Sequence, residues 1–257
     1  MPHSAVVRGA LGASGFAVVI AVWWIAADTA FAVNGVVPSP PDLVRQISED
    51  GAAYYLAQIG VTLSSAGQGY LWGAGVALLL AVVVMVLPAL SSPVGQLALF
   101  VECAPAAAIG PVVLAIVQGR TPSIFLAAIA VLFTTLVGAL LGARATRAIE
   151  ADVIAVYGGN RWDLFRKVKL FAALPATVNA LKIGIPAAIL GAIIGEYLGG
   201  VDSGIGVALA VAQRSIQVER TWIFGLSAAL VTSLGYALLS VLGRVLLPWS
   251  TAARRLG

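Results

Sequence analysis

AGQGYLWGAGVALLLAVVVMVLP, residues 66–88, carries no charged side chain from its first position to its last. A helix needs about 20 apolar residues to cross the hydrocarbon of a bilayer, so this stretch is long enough to span one. Of the whole chain of 257 residues, 60% are hydrophobic and 10% are charged. A soluble domain carries about 25% charged residues. So few charges could not cover a water-facing surface, and most of the surface is expected to face lipid.

Five further stretches share this character, and the predicted spans are 13–33, 66–88, 94–117, 122–143, 178–200 and 222–247. The breaks between the spans carry turn and helix-stop residues, such as PSPP at 38–41. Glycines recur four residues apart within spans, as at Gly138 and Gly142, and this spacing lets helix backbones approach closely in lipid. We predict an all-α polytopic membrane protein of about six spans, with residues 1–257 in one transmembrane domain.

The first span has an alternative interpretation as a cleavable signal peptide. Arg8, the apolar stretch after it and the pattern Ala30-Phe31-Ala32 fit such a peptide, whereas Trp23 and Trp24 favour a retained helix.

Orientation follows from the basic residues, because cytoplasmic loops carry an excess of Lys and Arg. With the N-terminus inside, only Arg45, Arg120, Arg214 and Arg220 of the 15 basic residues lie outside. We therefore predict a multi-pass protein of the cell (inner) membrane with both termini in the cytoplasm.

Two stretches between spans are predicted to lie on the external side. Residues 41–58 place Leu43, Val44 and Ile47 on one helical face, which predicts a short amphipathic helix on the bundle. Residues 201–220 are of mixed polarity and are predicted to form an external loop.

The cytoplasmic loop at 144–177 is too polar to span and too apolar for a simple linker. Its first helix is predicted to run to about Tyr157, where Gly158-Gly159 supplies the positive-φ residue that commonly ends a helix. Asn160 then caps a second helix, with Asp163 completing a variant of the capping box. A helix lying among lipid headgroups is the alternative. The sharp, capped corner favours a rigid tip that docks on a protein.

This loop resembles the coupling loop of binding-protein-dependent ABC importer permeases. That family has an acidic residue and a glycine at a fixed spacing, followed by a G-x-x-R-W-x-L-F run. The matching positions are Asp152, Gly158, Arg161, Trp162, Leu164 and Phe165. The chain departs from the pattern with Asp for Glu, with Val153-Ile154 for two alanines, and with Phe171 for a proline.

Three other segments resemble the same family, and they look closest to its nitrate/sulfonate/taurine subgroup. VVPSPPDLV at 36–44 is similar to the subgroup's LPSP segment, and VECAPAAAIGP at 101–111 is similar to its third span. LKIGIPAAILGAIIGEYLGG at 181–200 is similar to its fifth span. The four pieces stand in the family's order along nearly the whole chain.

The resemblance implies a transport subunit and not an enzyme. The loop's short helix would be a coupling helix that docks on a separate ABC ATPase subunit. The docking residues would be Asp152, Gly158, Gly159, Arg161, Trp162, Leu164 and Phe165. The chain lacks G-x-x-x-x-G-K-[ST], so ATP and Mg²⁺ would be bound by the partner, with no cofactor in this chain.

The resemblance also implies a second permease half and an extracytoplasmic substrate-binding protein. A homodimer and a heterodimer of permeases both stay open. The substrate would be a small polar or anionic solute such as nitrate, a sulfonate, taurine or a related organic acid. Glu102, however, lies where the subgroup usually has arginine, and this reversal weakens the expectation of an anion.

Ionisable groups inside a membrane are expensive and are candidates for a translocation pathway. Glu102 and Glu196 are the predicted pathway residues, with a structural hydrogen bond as the alternative for each. Asp28 and Lys182 are expected near the interfaces, where the Lys182 chain can reach the headgroups. Cys103 is expected to be a small packing residue.

Several other functions are excluded or disfavoured. The chain has one cysteine and one histidine, His3, so it can form no internal disulfide, and histidine catalysis and metal ligation are nearly excluded. No basic arm suited to nucleic acid is present. A self-sufficient transporter or channel would leave the capped loop unexplained, and an intramembrane enzyme would need a catalytic constellation that the sequence does not offer.

Overall fold

The computed structural model describes residues 3–31, 35–103, 106–117, 119–144, 148–199 and 201–246, and every regular element in these ranges is helical. The α-helices are α1 His3–Asp28, α2 Pro40–Asp50, α3 Ala52–Val86, α4 Ser91–Cys103, α5 Ala106–Ile116, α6 Thr121–Arg144, α7 Ala148–Val156, α8 Arg161–Leu164, α9 Leu170–Leu198, α10 Ile205–Arg214 and α11 Val218–Leu246. A 3₁₀ turn lies at Pro88–Leu90 and a π-helical turn at Phe165–Lys169.

Four helices in the described part of the chain are long and apolar enough to cross a membrane. They are Ala52–Val86, Thr121–Arg144, Arg161–Leu198 and Val218–Val245. Shorter apolar helices cover Ser14–Asp28 and Ile205–Arg214. These helices confirm the prediction of an all-α polytopic membrane protein, whereas the count of six spans and the single domain stay predictions.

The predicted boundaries differ from the observed helices in several places. The stretch predicted as a span at 94–117 contains two helices, α4 and α5, and residues 104 and 105 between them lie outside the described residues. The predicted amphipathic helix at 41–58 ends at Asp50, because Gly51 takes a φ of 81° and a new helix begins at Ala52. Residues 201–220, predicted as a loop, contain α10, whose small and apolar residues sustain a helix.

The fifth predicted span begins much earlier than position 178. The helix runs without interruption from Arg161 to Leu198, so α8, the π-helical turn and α9 form one 38-residue rod. Pro175 and Pro186 lie inside this rod. A change from polar to apolar residues marks where a helix enters lipid, and it does not mark where the helix starts.

Contacts divide the chain into two compact units, of which the first comprises Met1–Ala57 and Ala208–Ser227. Its core contains Phe224 and Tyr55, whose ring centroids lie 5.1 Å apart. The carboxylate of Asp50, at the end of α2, pairs with the Arg220 guanidinium and accepts a hydrogen bond from the Tyr55 hydroxyl. These polar contacts join the ends of α2, α3 and α11.

The second unit comprises Gln58–Val207 and Ala228–Gly257. Here α6 and α9 pack closely, and a methyl group at Gly142 would lie 2.8 Å from the Ala176 Cβ. The same holds at Gly191, where it would lie 2.8 Å from Ala127 Cα. The predicted close approach of helices at these glycines is therefore confirmed. One core cluster of this unit contains Ala77, Ala81, Met85, Ala98, Leu136, Ala139, Phe165 and Ala173.

Candidate functional site

The turn between α7 and α8 has the geometry that its sequence predicts. Gly158 takes a φ of 73°, and its N–H donates to the Ala155 carbonyl at 3.0 Å. The Gly159 N–H donates to the Ile154 carbonyl at 2.9 Å. This pair of bonds is the Schellman motif, which satisfies the last carbonyls of a helix and needs a left-handed residue after it. A side chain at Gly159 would also meet the Ile154 side chain, so both glycines are required.

Asn160 caps the next helix, as predicted. Its side-chain oxygen accepts hydrogen bonds from the Trp162 and Asp163 amides at 2.9 and 3.0 Å. The Asp163 carboxylate accepts from the Asn160 amide at 3.1 Å, which completes a capping box. The corner is therefore fixed on both sides by its own hydrogen bonds. We call residues 148–169, which hold α7, the corner, α8 and the π-helical turn, the capped hairpin.

Large apolar side chains on the capped hairpin are exposed. The relative exposure of Val156 is 83%, that of Tyr157 is 86% and that of Trp162 is 50%. The Trp162 ring contacts the Phe165 ring, with centroids 5.1 Å apart. Asp152 and Arg161 are exposed and Leu164 is half-buried, so most of the predicted docking residues lie on one accessible corner. An exposed group of large apolar side chains marks a site of protein or membrane interaction.

Two contacts anchor the capped hairpin to the second unit. Phe165 is only 5% exposed and lies in the cluster with Met85, Leu136 and Ala173. The Lys169 ammonium donates to the Met85 carbonyl at 2.9 Å, near the end of α3. A cation is favourable at the C-terminus of a helix, where backbone carbonyls lack partners. Trp162 is therefore connected to the helix core through its contact with Phe165.

Glu196, the second predicted site, is fully buried among polar groups. Its Oε2 accepts hydrogen bonds from the Thr62 hydroxyl at 2.8 Å and from the Gly206 amide at 3.0 Å. Thr62 Oγ1 accepts in turn from the Ile205 amide at 2.8 Å, and Gln58 Oε1 accepts from the Gly204 amide at 2.6 Å. Glu196 Oε1 is buried without a hydrogen-bond partner. Its predicted role in the pathway stays a prediction.

The remaining predicted residues do not gather into one site. Glu102 lies in α4, but its side chain is outside the part of the chain that the structure describes. Asp28 is exposed and lines a cavity of about 320 Å³ with Ser39 and Glu219. Lys182 is half-buried, and its Cε would lie 2.9 Å from a methyl group at Gly243. Cys103 is a free, exposed cysteine, and its expected packing role stays a prediction.

Sequence reasoning missed Gln58, Thr62 and Lys169. Thr62 lies 134 positions from Glu196, and Lys169 lies 84 positions from Met85. No local pattern pairs residues so far apart. A polar residue in an otherwise apolar helix was the available signal for Thr62, but such residues also occur without a long-range partner.

The fold and the capped hairpin define a class: an α-helical membrane protein with a rigid, anchored tip at the start of a long helix. No protein-family model matches the chain. Three curated relatives share 26–27% identity with it.

All three relatives are named as permease proteins, and one of them as a probable permease of an ABC transporter. A probable ABC transporter permease protein of Haemophilus influenzae is 27% identical over 203 residues, 79% of this chain and 82% of that protein. The riboflavin transport system permease protein RibX of Chloroflexus aurantiacus is 26% identical over 152 residues, 59% of this chain and 56% of that protein. The formylaminopyrimidine transport permease protein ThiX of Halalkalibacterium halodurans is 26% identical over 110 residues, 42% of this chain and 43% of that protein.

The match thus spans about half the length of two of these relatives. None of the three is named for nitrate, sulfonate or taurine transport, so they support a permease and not that subgroup.

Proposed function

We propose that the chain is the permease subunit of an ATP-driven importer and that the capped hairpin docks on a separate ATPase subunit. The observation that carries this proposal is the corner itself, which is fixed by a Schellman motif and a capping box and exposes Trp162. A helix that only lay on lipid would gain nothing from so rigid a corner. A tip that enters a groove on another protein needs a fixed shape.

The hairpin would transmit motion because it has one exposed and one buried aromatic in contact. Trp162 would enter the groove of the ATPase subunit, while Phe165 stays in the helix core. Arg161 is exposed beside Trp162 and would contact the rim of that groove. Closure of the ATPase subunits would then displace the start of the 38-residue rod directly.

Partners would supply the functions for which the chain has no residues. ATP and Mg²⁺ would be held by the ATPase subunits, and a second permease half, a copy or a different chain, would complete the pathway. An extracytoplasmic protein would deliver the solute. The capped hairpin would face the cytoplasm of a cell membrane with both termini on the same side, as the distribution of basic residues indicates.

The solute is proposed to be a small organic molecule, with a nitrogen heterocycle as the first class to test. Two relatives are named for transport of riboflavin and of formylaminopyrimidine. Glu102, in place of the arginine expected for an anion importer, also favours a solute without net negative charge. Nitrate, sulfonates and taurine, which the sequence resemblance implies, form the second class.

Purification of the tagged chain in mild detergent from its native membrane would test the docking proposal. We expect an ABC ATPase subunit to copurify with the wild-type chain and to be lost in Trp162→Asp, because a charge would be placed in an apolar groove. Trp162→Phe is the matched control, which keeps an aromatic ring and should retain most of the ATPase subunit.

Retention of the ATPase subunit and of ATP-dependent uptake in Trp162→Asp would overturn the docking assignment. Uptake that needs no ATP would overturn the importer proposal itself. Competition of uptake by riboflavin, a formylaminopyrimidine, nitrate and taurine would then separate the two solute classes.

A further inference from the structure

The first turn of α10 is capped by side chains from two other helices. Three consecutive amides, those of Gly204, Ile205 and Gly206, donate to Gln58, Thr62 and Glu196 at 2.6, 2.8 and 3.0 Å. The first amides of a helix have no partner within it and carry the positive end of its dipole. A carboxylate is the side chain best suited to that position. Glu196 therefore acts as a cap supplied from a distance.

The hydrogen bonds of this cap offset the free energy cost of burying the Glu196 carboxylate. Glu196 and Thr62 are each 1% exposed. Among the ion pairs between described residues, none includes Glu196. Burying a carboxylate costs free energy unless hydrogen bonds compensate it. The Gly206 amide and the Thr62 hydroxyl supply those bonds, and Thr62 is itself held by the Ile205 amide.

The space around the carboxylate is shaped by Gly204. This residue has a φ of 128°, and a Cβ on it would lie 2.5 Å from Glu196 Cδ and 2.8 Å from Oε1. No side chain fits at this position while the carboxylate stays in place. Oε1 has no hydrogen-bond partner, so the cap accepts fewer bonds than a buried carboxylate can use.

We infer that Glu196 is a positioning residue for transport, which holds the start of α10 on α3 and α9 and does not contact the solute. The inference rests on the proposed importer function. Its basis is that both carboxylate oxygens are buried against the chain's own amides, hydroxyl and glycine. Loss of this cap would free residues 201–206 next to α10 and would lower the rate of transport without changing the affinity for solute.

Substitutions at Glu196 test the inference in the complete complex, reconstituted in vesicles. We expect Glu196→Ala to lower the maximum rate of uptake by about tenfold or more with an unchanged KM, the loss that follows removal of a hydrogen bond to a charged group. Glu196→Gln, which keeps the acceptor, should lose less. Glu49→Ala is the matched control, because this carboxylate is exposed and makes only a weak ion pair, at 3.9 Å.

Formate provides a readout that a general structural defect would not show. It is a small carboxylate that can occupy the space vacated in Glu196→Ala and accept from the same amides. We expect formate, but not chloride, to raise the melting temperature and the uptake rate of Glu196→Ala and to leave the wild type and Glu49→Ala unchanged. If Glu196→Ala does not assemble, the same measurement is made on Thr62→Val, in which the Glu196 carboxylate keeps only its Gly206 bond, and we then expect a lower maximum rate with an unchanged KM.

Three outcomes would overturn the inference: normal uptake by Glu196→Ala, a raised KM with an unchanged maximum rate, or no response of Glu196→Ala to formate. Absence of ATP-dependent uptake in the wild type would instead overturn the proposed function. The melting temperatures with and without formate would still test the cap in that case, so the two failures are distinguishable.

A double-mutant cycle that combines Gly204→Ala with Glu196→Ala checks the contact without any transport assay. The methyl group added by Gly204→Ala would clash with the Glu196 carboxylate, and the clash is absent once that carboxylate is removed. We therefore expect the two substitutions to lower the melting temperature by less together than the sum of their separate effects. Additive effects would show that the contact does not form.

Discussion

Ile216 has a strained backbone conformation that lowers the stability of the folded protein. It lies two positions after the end of α10, with a φ of 54°, a conformation that glycine adopts freely and that is an outlier for a β-branched residue. The amides of Ile216 and Gln217 donate to the Gln213 and Ala212 carbonyls, which forms the Schellman motif in which glycine is usual. The side chain offers little in return, because it is 83% exposed.

Ile216→Gly should therefore stabilise the protein. Relief of the left-handed strain is worth about 1–2 kcal/mol, which exceeds the entropic cost of glycine, about 0.5–1 kcal/mol. We expect a net gain of about 0.5–1 kcal/mol, seen as a higher melting temperature in detergent. Val211→Gly, inside α10, is the control and should destabilise. A lower melting temperature in Ile216→Gly would mean that the exposed side chain makes a stabilising contact.

Asp50 should make the stability of the protein depend on pH. Its hydrogen bonds with the Arg220 guanidinium, and less strongly with Tyr55, hold the pKa of the Asp50 carboxyl well below its usual range. A carboxyl with a lowered pKa in the folded state contributes stability above its unfolded pKa, about 3.9, and loses it as the pH falls towards the folded value. Removal of the charge should lower the free energy of unfolding by about 2 kcal/mol, as for other hydrogen bonds to charged groups.

We therefore expect the melting temperature of Asp50→Asn to lie below that of the wild type. The difference between the two melting temperatures should be constant above about pH 5 and should shrink below about pH 4. Thermal unfolding in detergent across this range measures it. Asp42→Asn is the comparison, because Ser39 and then Arg45 lower the pKa of that half-buried carboxyl more weakly. A difference that stayed the same down to pH 2 would show that the Asp50–Arg220 pair is not formed.

Asn160 should control the rigidity of the capped hairpin. Loss of an asparagine cap costs about 1 kcal/mol, so Asn160→Ala should speed hydrogen exchange at the Trp162 and Asp163 amides, which it now holds. Lys167→Ala is the matched control, because it removes only an exposed ion pair with Asp163, worth about 0.3–0.5 kcal/mol. Unchanged exchange in Asn160→Ala would mean that the cap does not hold the corner.

The capped hairpin could be predicted from sequence because its determinants are local. Gly158, Gly159, Asn160 and Asp163 lie within six positions, and each acts on the backbone next to it. The start of the long rod at Arg161 could not be predicted, since hydropathy reports depth in the membrane and a helix can continue into water. The cap at Glu196 could not be predicted from the sequence either, because Thr62 contacts Glu196 only through the packing of α3 against α9.

The longest helix of the molecule extends well beyond a bilayer. The rod from Arg161 to Leu198 has 38 residues and is about 57 Å long, against a hydrocarbon thickness of about 30 Å. One end of this rod carries the capped hairpin and the other carries Glu196. The residue proposed to dock on an ATPase and the residue proposed to position α10 thus belong to one continuous backbone.

The π-helical turn at Phe165–Lys169 contains one residue more than an α-helical turn. The Leu170 amide bonds the Phe165 carbonyl five positions back, one position farther than in an α-helix. If tension on the hairpin shifted this turn to α geometry, the two parts of the rod would rotate against each other by about 100° and the rod would lengthen by about 1.5 Å. A pull along the rod would in this way become a twist, which turns different side chains of α9 towards α3 and α6 without breaking the helix.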